Sequence, residues 1–307
     1  MVGTVLDPIN CNQTLFVTAM ILRLPDPVSA QTWCHAQRAA GRSIGFVPTM
    51  GALHEGHLSL VGRAVVENNI ACVSIFVNPL QFNDPDDLAR YPRNFDDDAQ
   101  QLEGAGCDMV FSGTLEQFFP EASVVAEITK RDPGPTAEGL EGASRPGHFA
   151  GVATICERLF KTVGPGRAYF GEKDFQQTLV VKDIARQLGY PEIVVCPTAR
   201  EPSGLAYSSR NVLLTDSECK RAACISRALF MARHAWHQGE REVGKLRDVM
   251  LRELDVDGIH VEYAELRDPH DWRPEAPAGL LVRAQALIAA RIGKARLIDN
   301  LRLDRDA

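Results

Sequence analysis

No stretch of this 307-residue chain stays apolar over the ~20 residues a bilayer-spanning helix needs, so no membrane partner is expected. A cationic excess is also missing. Lys and Arg total 33 against 40 Asp and Glu, a formal charge of −7, which argues against nucleic-acid binding and leaves room only for a local basic pocket. The eight cysteines (Cys11, Cys34, Cys72, Cys107, Cys156, Cys196, Cys219 and Cys224) include no C-x-x-C pair and match no zinc spacing. Several lie in apolar runs, as Cys72 does, and read as reduced thiols serving as small hydrophobes in a cytoplasmic protein. Residues 1–19 contain no Lys or Arg and so lack the charged start of a signal peptide. They read either as an extended N-terminal arm or as a stretch ahead of a true start at Met20. Solenoid-period repeats and long low-complexity tracts are absent as well. With 45% hydrophobic residues to bury, the chain is not a disordered one, and its length suits two domains or one large one.

Apolar patterning predicts a helix over 28–40, closed by Gly41, and a buried strand over 43–47 stopped by Pro48. A helix follows from His57, and a continuously apolar strand over 70–77 completes a βαβ unit. Further alternation is expected: helix 95–104, strand 109–111, helix 149–163, strand 168–170, helix 175–188 and strand 193–196. This favours an α/β fold with a doubly wound parallel sheet. Near Thr198 the character shifts to long helices over 218–238 and 243–253, a strand over 260–266, and apolar runs at 280–290 and 295–298. The expected division is an arm (1–19), a Rossmann-like domain (20–198) and a smaller α+β domain (199–307). Residues 133–147, rich in Gly and Pro, read as a mobile surface loop.

The strongest local signal is Pro48-Thr49-Met50-Gly51-Ala52-Leu53-His54-Glu55-Gly56-His57, at the first strand-to-helix junction. Ligands of open α/β sheets bind at the carboxyl ends of strands, and a helix N-terminus offers free N–H groups to phosphate. Two imidazoles three residues apart share one face of a turn and can donate to phosphate oxygens. This H-x-G-H signature resembles the adenylate-forming nucleotidyltransferases of the class I aminoacyl-tRNA-synthetase type. That group pairs it with a downstream basic loop, for which Tyr207-Ser208-Ser209-Arg210-Asn211 is the candidate.

Six ordered blocks extend the resemblance: PTMGALHEGH (48–57), SIFVNPLQF (74–82), DLARYPRNFDDD (87–98), EGASRPGHFAGV (141–152), YFGEKDFQQ (169–177) and GLAYSSRN (204–211). VEYAELRD (261–268) and ARLIDN (295–300) match more loosely. On these blocks the chain resembles the pantothenate synthetase, or pantoate–β-alanine ligase, family over all but its N-terminal arm. The resemblance implies condensation of pantoate with β-alanine, using ATP and Mg²⁺, through a pantoyl adenylate. It implies a homodimer as well.

Residue roles follow by the same resemblance. Met50, Gly51, Ala52, Leu53, His54, Glu55, Gly56 and His57 form the first ATP loop, with His57 the family's catalytic proton donor. Read from their chemistry, His54 and His57 are donors to transition-state phosphate oxygens. Gly171, Glu172, Lys173 and Asp174 match a second ATP stretch, Ala199 an adenine contact, and Tyr207, Ser208, Ser209 and Arg210 the mobile phosphate loop. Catalysis is thereby expected from His54, His57, Lys173, Ser208, Ser209 and Arg210. Gln81 and Gln177 match the pantoate-binding amides, Gln81 also serving β-alanine, with Ile155 and Cys156 lining the pantoate pocket. Asp97, Asp98 and Gln101 correspond to a site near Mg²⁺; the run Asp96–Asp98 equally suits a first helical turn favoured by the macrodipole. Arg145 and His148 either close over phosphates or solvate their loop. Tyr207 departs from the Met usual in the family. Two other classes remain open: an adenylyltransferase that retains the nucleotidyl group in its product, and a silent nucleotide-binding protein.

Overall fold

The computed structural model describes residues 20–122 and 124–305; the expected arm and Cys11 lie outside the described residues. The elements run β1 (Leu22–Leu24), α1 (Pro27–Ala39), β2 (Ile44–Thr49), α2 (Glu55–Glu67), β3 (Ile70–Ile75), α3 (Pro85–Arg90), α4 (Phe95–Gly104), β4 (Met109–Phe111), α5 (Leu115–Phe118) and α6 (Leu140–Ser144). They continue with α7 (His148–Val163), β5 (Arg167–Gly171), α8 (Phe175–Leu188), β6 (Glu192–Cys196), α9 (Asp216–His237), α10 (Val243–Leu254), β7 (Ile259–Arg267), β8 (Gln285–Ile292) and β9 (Ala295–Arg302).

Six strands form a parallel sheet in the order β1-β4-β3-β2-β5-β6. Adjacent residues of each strand go to opposite faces, and both faces are covered. Phe46, Cys72, Met109 and Ala168 join a core with α1, α7 and α8, while Val47, Val73, Val110 and Tyr169 join one with α2 and α4. Burial on both faces explains why these strands read as continuous apolar runs. The chain winds outward from β2 through β3 to β4, then returns to place β5 on the other side of β2. The switch point therefore lies between β2 and β5, where such folds bind ligands at the strands' carboxyl ends.

A second sheet, antiparallel β7-β8-β9, packs on α9 and α10 around its own core of residues such as Leu229, Leu246, Met250 and Ile288. The fold is thus an α/β, doubly wound parallel sheet joined to a smaller α+β layer.

Two expectations are corrected. Pro48 does not stop β2, which runs on to Thr49. Thr49 accepts from the Phe76 N–H of the β3 side, so Pro48 turns toward β5, where pairing has already ended at Phe46. The missing donor therefore breaks no ladder bond. Residues 133–147 are not a free loop. The Gln176 amide donates to the carbonyls of Thr136, Glu138 and Gly139 and accepts from the Glu141 N–H. Buried Glu141 is held by both terminal nitrogens of Arg296 and by the Tyr263 hydroxyl. The edge strand β1 carries too few residues for patterning to reveal it, and its register comes from pairing with β4.

Candidate active site

A cavity of about 220 Å³ opens at the switch point, walled by the ends of β2 and β5, the first turns of α2 and α8, α7, and the 197–210 segment. The first wall is the turn after Thr49. Gly51 has φ +80°, and a Cβ there would meet the Asp98 carboxylate at 2.8 Å. The next residue, Ala52, has φ +52°, a left-handed conformation that strains an L side chain. Asp98 holds that turn: its two oxygens accept from the Ala52 and Leu53 amides at 3.0 and 2.8 Å. Burial pushes its carboxyl pKa up, opposed by the two amide hydrogen bonds.

Those bonds give Asp98 a structural task beside the expected place near a cation. Asp98 is only 3% exposed, and each of its oxygens accepts from a loop amide. Asp97 is exposed and bonds Asn94, and Gln101 is exposed on the same helix. Among the described residues no group of three or more His, Cys, Asp or Glu side chains is arranged to hold a metal ion by itself. As chemistry, Asp98 acts as an N–H acceptor, and the first turn of α4 carries Asp96 and Asp97 as the macrodipole favours.

His54 caps α2, its Nδ1 accepting from the Gly56 N–H at 3.1 Å, so the neutral ring carries its proton on Nε2. His57 lies against it, ring centroids 4.0 Å apart, with Nδ1 buried and unpartnered. Tyr207 adds a third ring, 6.2 Å from His54 and inclined by 18°. Burial, aided by Lys173, lowers the His54 pKa to about 4, against the opposing pull of Asp174. Burial, then His54 and Lys173, lower that of His57 to about 3. Both are neutral donors at neutral pH.

Lys173 sits in a 3-10 turn, Glu172–Asp174, between β5 and α8, and forms no salt bridge among the described residues. Four residues on, Gln177 lines the same cavity from the first turn of α8. Opposite stands the 207–210 loop. Its Tyr207 N–H donates to the Ala199 carbonyl, and Arg210 pairs with Asp87 of α3 at 3.1 Å.

The other end of the cavity is apolar with amides. Val152, Ile155, Cys156 and Leu159 present one face of α7, joined by Phe76. Gly151 brings α7 against the 3-10 turn Pro79–Gln81, where a Cβ would lie 2.2 Å from the Leu80 carbonyl oxygen. That contact sets Gln81. Its Nε2 points at the Met50 sulfur (3.1 Å), and its Oε1 accepts from Asn78. Asn78, 1% exposed, also donates to the Gly151 carbonyl. Arg145 and His148 both bond the Gln81 carbonyl oxygen. Burial lowers the Arg145 pKa to about 10, with Arg210 adding repulsion. Burial lowers His148 to about 4, and Arg145 adds to it. Burial pushes the Cys156 thiol up to about 12, which makes it a wall and not a nucleophile.

The structure therefore gathers Met50, His54, Gly56, His57, Gln81, Gly171, Lys173, Asp174, Gln177, Ala199, Tyr207, Ser208, Ser209 and Arg210 around one cavity. Gly51, Ala52, Leu53, Glu55 and Glu172 lie outside its lining. Gly51 to Leu53 shape the turn, Glu55 is exposed at the start of α2, and the Glu172 carbonyl faces β9. Sequence reasoning gave no role to Asn78, Thr49, Tyr91 or Asp87. Asn78 was detectable as an Asn preceding Pro, a combination suited to capping a turn, which it does through the Leu80 N–H.

A family model described as pantoate-beta-alanine ligase matches residues 24–302. A pantothenate synthetase of Gluconobacter oxydans is 46% identical over 263 residues, 85% of this chain and 94% of that protein. One of Thermotoga neapolitana is 45% identical over 266 residues, 86% of this chain and 92% of the relative. The crystal structure of pantothenate synthetase from Thermus thermophilus superimposes with a TM-score of 0.81 at 41% identity, covering 92% of this chain and 99% of that one. The Francisella tularensis ligase, crystallised with β,γ-ATP and β-alanine, gives 0.74 at 32% identity over 93% and 99% of the two chains.

Proposed function

The chain belongs to the pantoate–β-alanine ligase family, and from that premise we propose that the switch-point cavity carries both half-reactions of the ligation. The enzyme condenses (R)-pantoate with β-alanine, using ATP, to pantothenate, AMP and pyrophosphate. The pantoate carboxylate attacks the α-phosphorus and pyrophosphate departs. The β-alanine amine then attacks the acyl carbon, AMP leaves with the bonding pair, and the amine sheds a proton. Neither step needs covalent chemistry from the protein; both need positioning and charge stabilisation.

The mixed lining of the cavity, imidazoles and cations together with amides and an apolar helix face, is the observation that supports the residue roles. Its imidazole and cationic end, with His54, His57, Lys173, Ser208, Ser209 and Arg210, suits a triphosphate. ATP lies along Met50–His57 and Gly171–Asp174, with Ala199 and Tyr207 on its nucleoside side. His57 and His54 donate N–H to the α-phosphate oxygens as neutral rings, in keeping with their depressed pKa values. The amide end, Gln81 with Gln177, suits pantoate's hydroxyls and carboxylate, while the apolar face of α7 takes its two methyls. Gln81, next to Met50, also meets the incoming β-alanine.

Mg²⁺ bound with ATP would supply neutralisation of phosphate charge. Asp97, Asp98 and Gln101 are the side chains that would stand near it, with Asp98 also accepting from the Ala52 and Leu53 amides. A separate core around each sheet supports the division at residues 198 and 199. The family likeness supports a homodimer, and free thiols at Cys34, Cys72, Cys107, Cys156, Cys196, Cys219 and Cys224 support a cytoplasmic setting.

The decisive test is pantoate-dependent exchange of labelled pyrophosphate into ATP without β-alanine, then AMP release when β-alanine is added. Exchange followed by amine-dependent AMP is expected. Exchange without the second step would reassign the amine, and folded, ATP-binding protein without exchange would leave a nucleotide binder.

A further inference from the structure

The turn that carries Lys173 has no side-chain cap of its own. Its carbonyl groups are gripped from the second sheet. Asn300, near the end of β9 and 3% exposed, donates from Nδ2 to the carbonyl oxygens of Glu172 (3.0 Å) and Lys173 (2.7 Å). An asparagine fits this task because one nitrogen holds two N–H groups, enough for two successive carbonyls. The orientation of that amide is locked in turn. Asn300 Oδ1 accepts from Gln285 Nε2 on the paired strand β8 at 2.7 Å, and Gln285 is wholly buried. A flipped amide would turn oxygen toward two carbonyl oxygens and lose all three bonds.

The preceding residue performs a matching task on the other basic segment. Asp299 holds Arg200 through both oxygens (2.6 and 3.0 Å), and Arg200 also donates to the Gly204 and Asn300 carbonyls. Arg200 bridges to Ala206, immediately before Tyr207 and the phosphate loop. Two adjacent residues of one strand thus hold both segments that carry cations to the cavity.

We propose that Asn300 is a positioning residue for adenylate formation: from the second sheet it fixes the Glu172–Lys173 backbone, and so the origin of the Lys173 ammonium. The inference rests on the reading of Lys173 as a phosphate-binding cation. Asn300 touches no substrate. Its influence passes through the turn, where an ångström of displacement is worth about 10²-fold in rate.

A double-mutant cycle on pyrophosphate exchange tests this, with Asn300→Ala, Lys173→Ala and the pair compared with the parent enzyme. Asn300→Ala is expected to slow exchange by about 10- to 100-fold. In the Lys173→Ala background the same change is expected to alter the rate less than about twofold, because the group it positions is gone. An equal loss in both backgrounds would show that Asn300 serves the fold in general and would overturn the proposal. So would an unchanged rate in Asn300→Ala while Lys173→Ala is impaired. An unimpaired Lys173→Ala would instead refute the reading of the lysine. If Asn300→Ala does not fold, Gln285→Met loosens the amide while keeping side-chain volume. It is expected to give a smaller loss with the same dependence on Lys173, and a loss independent of Lys173 would again overturn the inference.

Discussion

His54 and His57 do their work as neutral rings, and the reason is local. They lie against one another, tilted by 33°, partly withdrawn from water, and share the field of Lys173. Each effect disfavours the imidazolium. Titrating the imidazole protons of the free enzyme by NMR should give midpoints for both below pH 5; a midpoint near the ordinary 6.5 would remove the neutral-donor reading. His57→Ala should slow adenylate formation by about 10²–10³-fold, the usual loss when one transition-state donor is deleted. Folding should survive the change, since His57 Nδ1 has no partner to lose. Pyrophosphate exchange and far-UV circular dichroism on the same sample decide both points. Gln81→Ala should raise the pantoate KM more than the ATP KM, and equal rises would count against the pocket assignment. Spacing pointed to His54 and His57, and the family resemblance to Gln81. Neither revealed the Tyr207 ring over His54, because the two are brought together only by folding.

At the scale of elements, the site depends on how closely α7 approaches the Pro79–Gln81 turn. Gly151 permits that approach, since a Cβ there would collide with backbone, which yields far less readily than a side-chain tip. Gly151→Ala is expected to destabilise the protein by about 1–3 kcal/mol, measured by urea unfolding. It should also raise the pantoate KM, because Gln81 rides on the displaced turn. An unchanged KM would separate Gln81 from this packing. Legibility varied with element length. The long helices declared themselves by period and the buried strands by continuous apolar runs, whereas β1 and the 3-10 turns carry too few residues for either signal to show. The 133–147 stretch looked unattached because its Gly and Pro content describes only local preference. Its anchors, Gln176 and Arg296, come from distant parts of the chain.

At the scale of the whole molecule, buried neutral histidines couple stability to pH. His54, His57 and His148 have folded-state pKa values lowered to about 4, about 3 and about 4. Their unfolded counterparts protonate near 6.5. Between those limits the unfolded chain binds more protons, so stability is full above pH 6.5 and declines as pH falls toward 4. Unfolding free energy should drop from pH 7 to pH 5 by on the order of 5 kcal/mol, most of it restored in the triple His→Gln variant. Equal stability at the two pH values would show that these rings protonate as freely folded as unfolded. The meeting of the two sheets is also a whole-molecule property. Asn300, Asp299 and Arg296 reach the segments around the cavity from a strand more than a hundred residues downstream of them in part.

By itself the sequence determined the α/β alternation, the H-x-G-H turn, the Lys173–Gln177 spacing and the resemblance that the family matches establish, because each is a local or ordered pattern along one chain. Only the tertiary structure decided that Asp98 serves two backbone amides, that Tyr207 stacks on His54, and that Asn300 holds the lysine turn. Those contacts join residues far apart in sequence. A carboxylate or an amide has no preference between metal, backbone and water until folding fixes which partner stands within hydrogen-bond reach.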